Sequence, residues 1–417
     1  MDREQIEILA PAGDLEKLKL AITYGADAVY LGGERFGLRA AAKNFSIEQI
    51  KEGADFAHSK GKRLYVTVNL IPHNEDFEGL EEYLKELQQS GVDALIASDP
   101  GVIMKIKEAV PGMEIHLSTQ ANNTNYMSAR FWHSQGIKRV VVARELSVGE
   151  IGEIRANIPD DMEIEAFVHG AMCISYSGRC LISNYMTGKD ANKGECKHPC
   201  RWKYSLMEET RPGEYYPIYE DERGTFFFNS KDLCLIEHIP ELVQAGIKSF
   251  KIEGRMKSAY YVATIVRAYR MAIDEYLKNP QGWKFKQEWL EELEKVSHRG
   301  FTKGFYFNKP GHEEHHYGSS SYVRNYDFIG LVQSRDDENG EIIVQQRNRF
   351  FLGDEIEIIG PGGVQHLARI TGMRDEAGNG IEVAPRPKET IRVKLDIELD
   401  GIGENFILRK KAEQANC

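Results

Sequence analysis

The segment Gly25-Ala26-Asp27-Ala28-Val29-Tyr30-Leu31 decides the fold, because it joins a helix-ending glycine to a short apolar strand candidate. Similar segments begin at Gly91, Gly136 and Gly246, each after a stretch with helical periodicity. Glycine suits a helix end because it adopts the left-handed conformation at little cost. The repeat predicts alternating helices and strands.

Eight strand candidates follow this pattern, and they favour a closed (β/α)8 TIM-like barrel of the α/β class. An open doubly wound sheet is the alternative, but Ala10-Pro11-Ala12-Gly13-Asp14 stands where a G-x-G-x-x-G turn would follow the first strand. A barrel would place its functional residues at the carboxyl ends of the strands. The strand candidates are residues 6–10, 28–31, 64–70, 94–97, 115–119, 139–143, 164–168 and 249–252.

Two domains are predicted. Residues 1–309 form the barrel, with an insertion at 171–228 that carries four clustered cysteines and a hairpin. A polar linker at 310–321 leads to residues 322–417, where short alternating segments separated by glycine-rich turns predict a small antiparallel β-barrel. The alternating segments are residues 328–333, 342–346, 355–359, 368–371, 381–384 and 391–397.

Composition narrows the class of protein further. The 417 residues include 41% hydrophobic residues, which is typical of a globular chain, and no apolar run is long enough to cross a bilayer. The first residues lack the features of a secretory signal, so we expect a cytoplasmic protein without membrane contacts. The net charge of -11 argues against general electrostatic binding of nucleic acid and leaves room for a local basic patch.

Four cysteines with the spacing Cys173-x6-Cys180-x15-Cys196-x3-Cys200 make a complete metal-ligand set. The long first gap favours an iron-sulfur cluster over zinc, while unliganded thiols remain a third interpretation. Cys234 is either a substitute ligand or a small buried residue.

A longer pattern surrounds the first two cysteines: Glu165-x-Phe167-x-x-Gly170-Ala171-Met172-Cys173-x4-Gly178-x-Cys180-x-Ile182-Ser183. This pattern resembles the signature of the collagenase-like U-type peptidase family. The resemblance continues through residues 8–13, 229–233, 251–255 and 298–302. It is strongest to a branch of bacterial tRNA hydroxylation proteins.

That resemblance implies a function and a cofactor. In this branch, prephenate-dependent and oxygen-independent chemistry converts the wobble uridine of tRNA to 5-hydroxyuridine, whereas related branches act on ribosomal RNA or ubiquinone precursors. The four clustered cysteines then become ligands of a 4Fe-4S cluster, although some branches use a ligand further downstream, as Cys234 would be. The expected partners are the tRNA anticodon loop, a small dicarboxylate and a homologous subunit.

Candidate substrate-binding residues lie near the predicted strand ends. Arg35 and Arg39 would share a helix face with Lys43 and could clamp carboxylates, although a solvated helix face explains them equally. Asn69, Ser118, Gln120 and His169 have the parity of inward-facing residues. At the eighth strand Lys251 and Glu253 share parity, and Arg255 lies just beyond them. We expect Asn69, Gln120 and Arg255 to bind substrate.

Three of these residues are candidates for catalysis. His169, Lys251 and Glu253 would support proton movement, although His169 could equally be a structural histidine. His312, His315 and His316 resemble a metal-binding run but lie in the polar linker, which argues against metal binding there.

A basic and aromatic stretch in the insertion is the candidate RNA-binding surface, formed by Lys193, Lys197, Arg201, Trp202 and Lys203. Cations for phosphates beside a flat ring suit a single-stranded loop, while balancing an anionic cluster is the alternative explanation. In the second domain, segments 347–350 and 386–388 could add contacts to the RNA backbone.

Two other functions remain as alternatives. A collagenase-like peptidase would need an activated nucleophile or a metal-bound water, and neither G-x-S-x-G nor H-E-x-x-H occurs. A non-catalytic iron-sulfur RNA-binding protein would fit the cysteines and leave the barrel mouth without a purpose.

Overall fold

The computed structural model describes residues 6–37, 44–173, 175–176, 182–189, 195, 197, 199, 220–221, 224–225, 231–308 and 323–412. A ring of eight parallel strands surrounded by helices is followed by a closed barrel of six antiparallel strands. The predicted TIM-like barrel and small all-β barrel are therefore confirmed. Residues 310–321, which include His312, His315 and His316, lie outside the described residues.

The first twelve strands are β1 (Glu7–Pro11), β2 (Ala28–Gly32), β3 (Arg63–Thr67), β4 (Ala94–Ala97), β5 (Glu114–Leu117), β6 (Arg139–Val141), β7 (Glu163–Ala171), β8 (Glu220–Asp221), β9 (Gly224–Thr225), β10 (Asp232–Cys234), β11 (Ile247–Ile252) and β12 (Phe301–Thr302). Ten of the first twelve strands belong to the sheet of the parallel barrel, while β8 and β9 pair with each other in a separate ribbon. Strands β1 to β7 pair in order, and β11 closes the ring by pairing with both β1 and β7. Each of the eight predicted strands overlaps one of these eight.

The helices lie between the strands, as the repeat predicts. They are α1 (Leu15–Thr23), α2 (Ile47–Ser59), α3 (Leu80–Gln89), α4 (Pro100–Ala109), α5 (Tyr126–Ser134), α6 (Val148–Ala156), α7 (Ile182–Thr187), α8 (Ile239–Gln244), α9 (Ala259–Lys278) and α10 (Gln287–Glu294). Ser46 and Ser147 cap α2 and α6 with reciprocal side-chain hydrogen bonds. The four helix-ending glycines Gly25, Gly91, Gly136 and Gly246 have φ from 76° to 113°, so they are left-handed as expected.

Strand β7 continues beyond the ring. Its last three residues pair in an antiparallel manner with β10, and β10 pairs in parallel with β12. Neither added strand is predicted from sequence, because segments of two or three residues carry no readable alternation. The extension places the chain that leads to Cys173 above the carboxyl end of the barrel.

Side chains pack inside the barrel. Leu9, Ala28, Tyr30, Tyr65 and Ile96 form a separate buried cluster inside the ring. The larger core lies between the sheet and the surrounding helices, where alternate strand residues point outward. Among the helices in the described ranges, none combines the length and apolar composition needed to cross a bilayer.

The last eight strands form the second barrel and a small ribbon. They are β13 (Tyr326–Asp336), β14 (Glu341–Gln346), β15 (Phe350–Phe351), β16 (Glu355–Ile359), β17 (Gln365–Arg374), β18 (Val383–Ala384), β19 (Thr390–Leu395) and β20 (Ile407–Lys411). The predicted segment 381–384 pairs with β15 outside the closed barrel, and β20 takes its place in the ring. The sequence obscures β20 because its Arg409 is a fully buried cation.

Buried ion pairs join the two barrels. Nη2 of Arg409 lies 2.6 Å from both Glu292, on α10, and Glu357, on β16. The hydroxyl of Tyr24 donates to the carbonyl oxygens of Ile359 and Asn405 in the second barrel. Because these polar groups are buried and satisfied, the interface fixes the second barrel against α10 and the end of α1.

Candidate functional site

Arg255 lies at the carboxyl end of the barrel, three residues after β11, and is 5% exposed. Its Nη2 donates to Oδ1 of Asn44 at 2.8 Å. Two glycines make room for it: a Cβ on Gly32 would collide with the guanidinium, and one on Gly13 would collide with the Arg255 carbonyl oxygen. Gly13 and Gly32 therefore allow the close approach of Arg255, whose role in substrate binding stays a prediction.

A pair of side-chain amides lies at the ends of two other strands. Nδ2 of Asn69 donates to Oε1 of Gln120 at 2.9 Å, so the two predicted residues meet across the mouth. Oδ1 of Asn69 is buried and has no hydrogen-bond partner among the described residues. A buried acceptor without a partner is costly, and such groups are typical of sites completed by a ligand or by water.

Arg144 also lies at the carboxyl end of the barrel, although the sequence gives no sign of its role. It follows β6 and is 13% exposed, and its guanidinium lies 3.9 Å from the centre of the Phe167 ring. Nη2 is 3.8 Å from Oε2 of Glu253, and Nη1 is 3.4 Å from the carbonyl oxygen of Ala171. The parity that predicts residues on the strands does not reach a side chain in the loop after β6.

Glu253 lies at the rim, as predicted. Its Oε2 is 3.5 Å from the hydroxyl of Tyr30, and that hydroxyl also donates to the carbonyl of Ile252 at 3.0 Å. Arg144, Tyr30 and Glu253 thus meet beside the loop that leads from β11 to Arg255. We call Asn69, Gln120, Arg144, Glu253 and Arg255 the rim.

Lys251 occupies a deeper layer of the barrel. Its Nζ donates to Oε1 of Glu165 at 2.7 Å and lies 4.5 Å from the centre of the Tyr30 ring. Both members of the ion pair are buried. The direct partner of the ammonium is therefore a carboxylate of the protein, and a catalytic role for Lys251 stays a prediction.

The same ion pair belongs to a larger network at the amino ends of the strands. Arg139 contacts Glu7 at 2.5 Å, Glu163 at 2.7 Å and Glu165 at 3.4 Å. Burial opposes ionisation of Glu7, but the charge and hydrogen bonds of Arg139 outweigh it and lower the pKa of Glu7 to about 2. We call Glu7, Arg139, Glu163, Glu165 and Lys251 the floor network.

His169 does not face the barrel mouth, although its parity predicts that it would. A register shift between β7 and β11 at this point displaces the side chain. Its ring packs against Tyr261 and Tyr269 of α9 and against Phe301 of β12. Burial lowers the pKa of His169 to about 3, so the imidazole is neutral near pH 7. Its proposed part in proton movement stays a prediction.

The described part of the cysteine set is Cys173, which is exposed two residues beyond the end of β7. Cys180, Cys196 and Cys200 lie outside the described residues. Cys234 is buried on β10, and burial raises the pKa of its thiol to about 12. Within the described ranges, no three potential ligands gather into a metal site.

The positions predicted to bind a small acid or RNA are only partly described. Arg35 is exposed and lies over the rings of Phe36 and Tyr83, while Arg39 lies outside the described residues. Lys197 is described, and its backbone N–H donates to Oγ of Ser183 at 3.1 Å. The other predicted RNA-binding residues, Lys193, Arg201, Trp202 and Lys203, fall outside the described ranges.

The second barrel carries two further predicted RNA contacts. Arg347 bonds to Glu16 in the first turn of α1 at 2.8 Å, so its charge is already paired. Arg386 is 79% exposed and lies 3.5 Å from Glu389. Contact of these two segments with RNA stays a prediction.

The fold and the rim together define the class: a TIM-like barrel protein with a cysteine-bearing insertion and a C-terminal antiparallel barrel. The chain belongs to peptidase family U32, whose family model matches residues 13–316, and the model of the U32 C-terminal domain matches residues 324–409. The family resemblance predicted from sequence is confirmed.

Three curated relatives show the range of names within this family. The chain is 46% identical to tRNA hydroxylation protein P1 of Bacillus subtilis, over 94% of this chain and 92% of the relative. It is 39% identical to tRNA hydroxylation protein P of Escherichia coli, over 94% and 95%. It is 32% identical to a protein named collagenase from Porphyromonas gingivalis, over 94% and 97%.

Proposed function

We propose that this chain is a tRNA-modifying enzyme that hydroxylates the wobble uridine to 5-hydroxyuridine, without molecular oxygen and with prephenate as co-substrate. Similarity over nearly the whole chain to relatives named tRNA hydroxylation proteins supports the tRNA hydroxylation role. The observation that carries the proposal is the rim itself, where Arg144 and Glu253 lie beside the strand leading to Cys173 and the amides of Asn69 and Gln120 meet.

The cofactor of the proposal is a 4Fe-4S cluster held by Cys173, Cys180, Cys196 and Cys200. Four thiolates are a complete donor set for such a cluster, which would supply one-electron chemistry near the rim. The exposure of Cys173 and its place after β7 fit a ligand on a loop above the barrel.

Two observations support leaving Cys234 out of this ligand set. Its thiol has a raised pKa, so burial disfavours the thiolate form that binds metal. Cys234 also pairs with His169 in the sheet. Cys173 comes four residues after His169, which is roughly 13 Å along an extended chain from the position of Cys234.

The chain's own residues would hold and orient the reactants. A flipped base costs little to extract from a loop, and the amides of Asn69 and Gln120 offer the donors and acceptors that read a base edge. Glu253 lies within reach of a hydroxyl and a guanidinium, so it is the rim group best placed to hold or move a proton.

Nucleoside profiling of tRNA tests the proposal in a strain that lacks this gene. We expect 5-hydroxyuridine and its derivatives to disappear, to return with the wild-type chain, and to stay absent with Cys173→Ala. Cys234→Ala is the matched control, which should restore modification and retain about four iron atoms per chain after anaerobic purification.

The opposite pattern would redirect the proposal. Restoration by Cys173→Ala with loss in Cys234→Ala would reassign the ligand set. If the strain that lacks the gene has unchanged tRNA and has lost hydrolysis of gelatin, the peptidase alternative is favoured. The similarity to the relative named collagenase is the reason to test it.

A further inference from the structure

Arg144 has a position and an environment that set it apart from a surface arginine. Its side chain is 13% exposed, and the guanidinium stacks over Phe167, a residue of β7. Stacking on a ring holds the planar group in place and removes water from one of its faces. The charge is therefore fixed in a partly desolvated position at the rim.

The polar contacts of Arg144 are long. Nη1 reaches the Ala171 carbonyl at 3.4 Å, the nearest carboxylate oxygen of Glu253 is 3.8 Å away, and Nε is buried without a partner among the described residues. A guanidinium has five N–H donors, and a buried charge is costly unless its donors are satisfied. Arg144 thus has donor capacity that these contacts do not use.

A comparison with Arg139 shows what a satisfied buried arginine looks like in this chain. Arg139 makes hydrogen bonds of 2.5 to 2.9 Å with Glu7 and Glu163. The guanidinium of Arg139 is thus satisfied by protein carboxylates. The carboxylate of Glu253, in contrast, lies beyond hydrogen-bond distance of Arg144. The difference indicates a ligand group that completes Arg144.

We propose that Arg144 binds a carboxylate of the small organic acid, and that Arg255 binds its second carboxylate. The Arg255 guanidinium lies against Gly32 of β2, and the Arg144 guanidinium lies over Phe167 of β7. The strands β11 and β1 separate β7 from β2 in the ring. Arginine matches carboxylates through paired hydrogen bonds, which suits a dicarboxylate. This inference rests on the proposed function for its co-substrate.

Glu253 has a positioning role in this arrangement. Its carboxylate faces the Nη2 side of Arg144 and also lies near Tyr30. An anion on this side orients the guanidinium. The acid would therefore approach Arg144 away from Glu253, because like charges repel.

Titration calorimetry on the anaerobically purified, full-length chain tests the inference. Prephenate has two carboxylates, and phenylpyruvate has one and serves as the comparison ligand. We expect Arg144→Gln to raise the Kd for prephenate roughly 10- to 100-fold, the range of a lost charge-assisted contact, with partial recovery in Arg144→Lys. Arg130→Gln, which removes an exposed charge from α5, is the matched control and should bind like the wild type.

Two further measurements separate binding from folding and from the proposed reaction. Iron content and thermal midpoint should match the wild type in Arg144→Gln, and the KM for prephenate should rise more than kcat falls. Unchanged prephenate affinity in Arg144→Gln would overturn the inference, even if tRNA is modified. If the acid binds in an Arg144-dependent manner but the chain leaves tRNA unmodified, the proposed function is refuted and the acid-binding site at Arg144 is retained.

Discussion

The floor network and the rim differ in how their charges are satisfied. At the floor, Arg139 and Lys251 each have carboxylate partners within 2.7 Å or less, and Glu7 also accepts hydrogen bonds from Tyr65 and Ser249. At the rim, Arg144 and Asn69 keep polar atoms without partners among the described residues. Both ends of the barrel thus bury polar groups. Within the described part of the chain, only the polar groups of the floor network are all satisfied by protein partners.

This difference teaches where stability and function reside. A closed buried network costs much to break, because removing one partner leaves the other charge buried and unpaired. Substitutions in a group of polar residues that lack such partners should change the stability of the free protein less, and should weaken ligand binding more. The following substitutions test that division.

The largest stability effect is expected at the centre of the floor. Arg139→Met would leave Glu7 and Glu165 buried with one cation fewer, and we expect it to lower the free energy of unfolding by about 3–5 kcal/mol. Denaturant unfolding measures the change. Lys138→Met is the matched control, since the neighbouring Lys138 is 53% exposed in its pair with Asp161, and it should change little. Equal effects in both variants would refute the special role of the floor.

A smaller and pH-dependent effect is expected at Glu7. Its pKa falls from 4.5 to about 2 in the folded chain, so its stabilising charge is complete above about pH 4.5 and is lost as the pH falls toward 2. Glu7→Gln should lower stability by roughly 3 kcal/mol near neutral pH and flatten the loss of stability in that acidic range.

Thermal unfolding between pH 2 and pH 7 measures the Glu7 effect. Glu81→Gln provides the control, because Glu81 bonds to Lys85 and Lys105 at the protein surface, where solvent screens its charge. A wild-type pH profile in Glu7→Gln would mean that the floor network does not depend on this carboxylate.

The smallest stability effect is expected at the rim. Asn69→Ala removes one hydrogen bond to Gln120 and one unsatisfied acceptor, so we expect a change in unfolding free energy of less than about 1 kcal/mol. The kcat/KM for tRNA modification should fall roughly tenfold or more, as for one lost substrate hydrogen bond. Large destabilisation with unchanged kcat/KM would make the rim a structural feature and end the contrast with the floor.

Much of the fold could be read from the sequence because its signals are local. Helix-ending glycines, apolar runs and their periodicity identify all eight strands of the ring, and segments 342–346 and 355–359 nearly coincide with β14 and β16. The strands β10, β12 and β20 escaped because their pairing depends on distant partners. Burial of Arg409 in β20, for example, depends on Glu292 and Glu357.

The candidate site was readable where a residue lies on a regular strand. Asn69 and Gln120 meet as parity predicts, and Arg255 and Glu253 lie at the rim. Parity fails for His169, because the register shift beside β11 turns its ring toward α9. Arg144 lies in a loop, where no periodicity announces the direction of a side chain.

The sequence by itself determined the order of helices and strands, the family and the four-cysteine spacing, since each of these is written in neighbouring residues. Only the tertiary structure decided which buried charges have carboxylate partners and which keep polar atoms without partners among the described residues. That distinction depends on residues far apart in the chain, such as Glu7 with Arg139 and Arg144 with Glu253, whose distances exist only after the ring has closed.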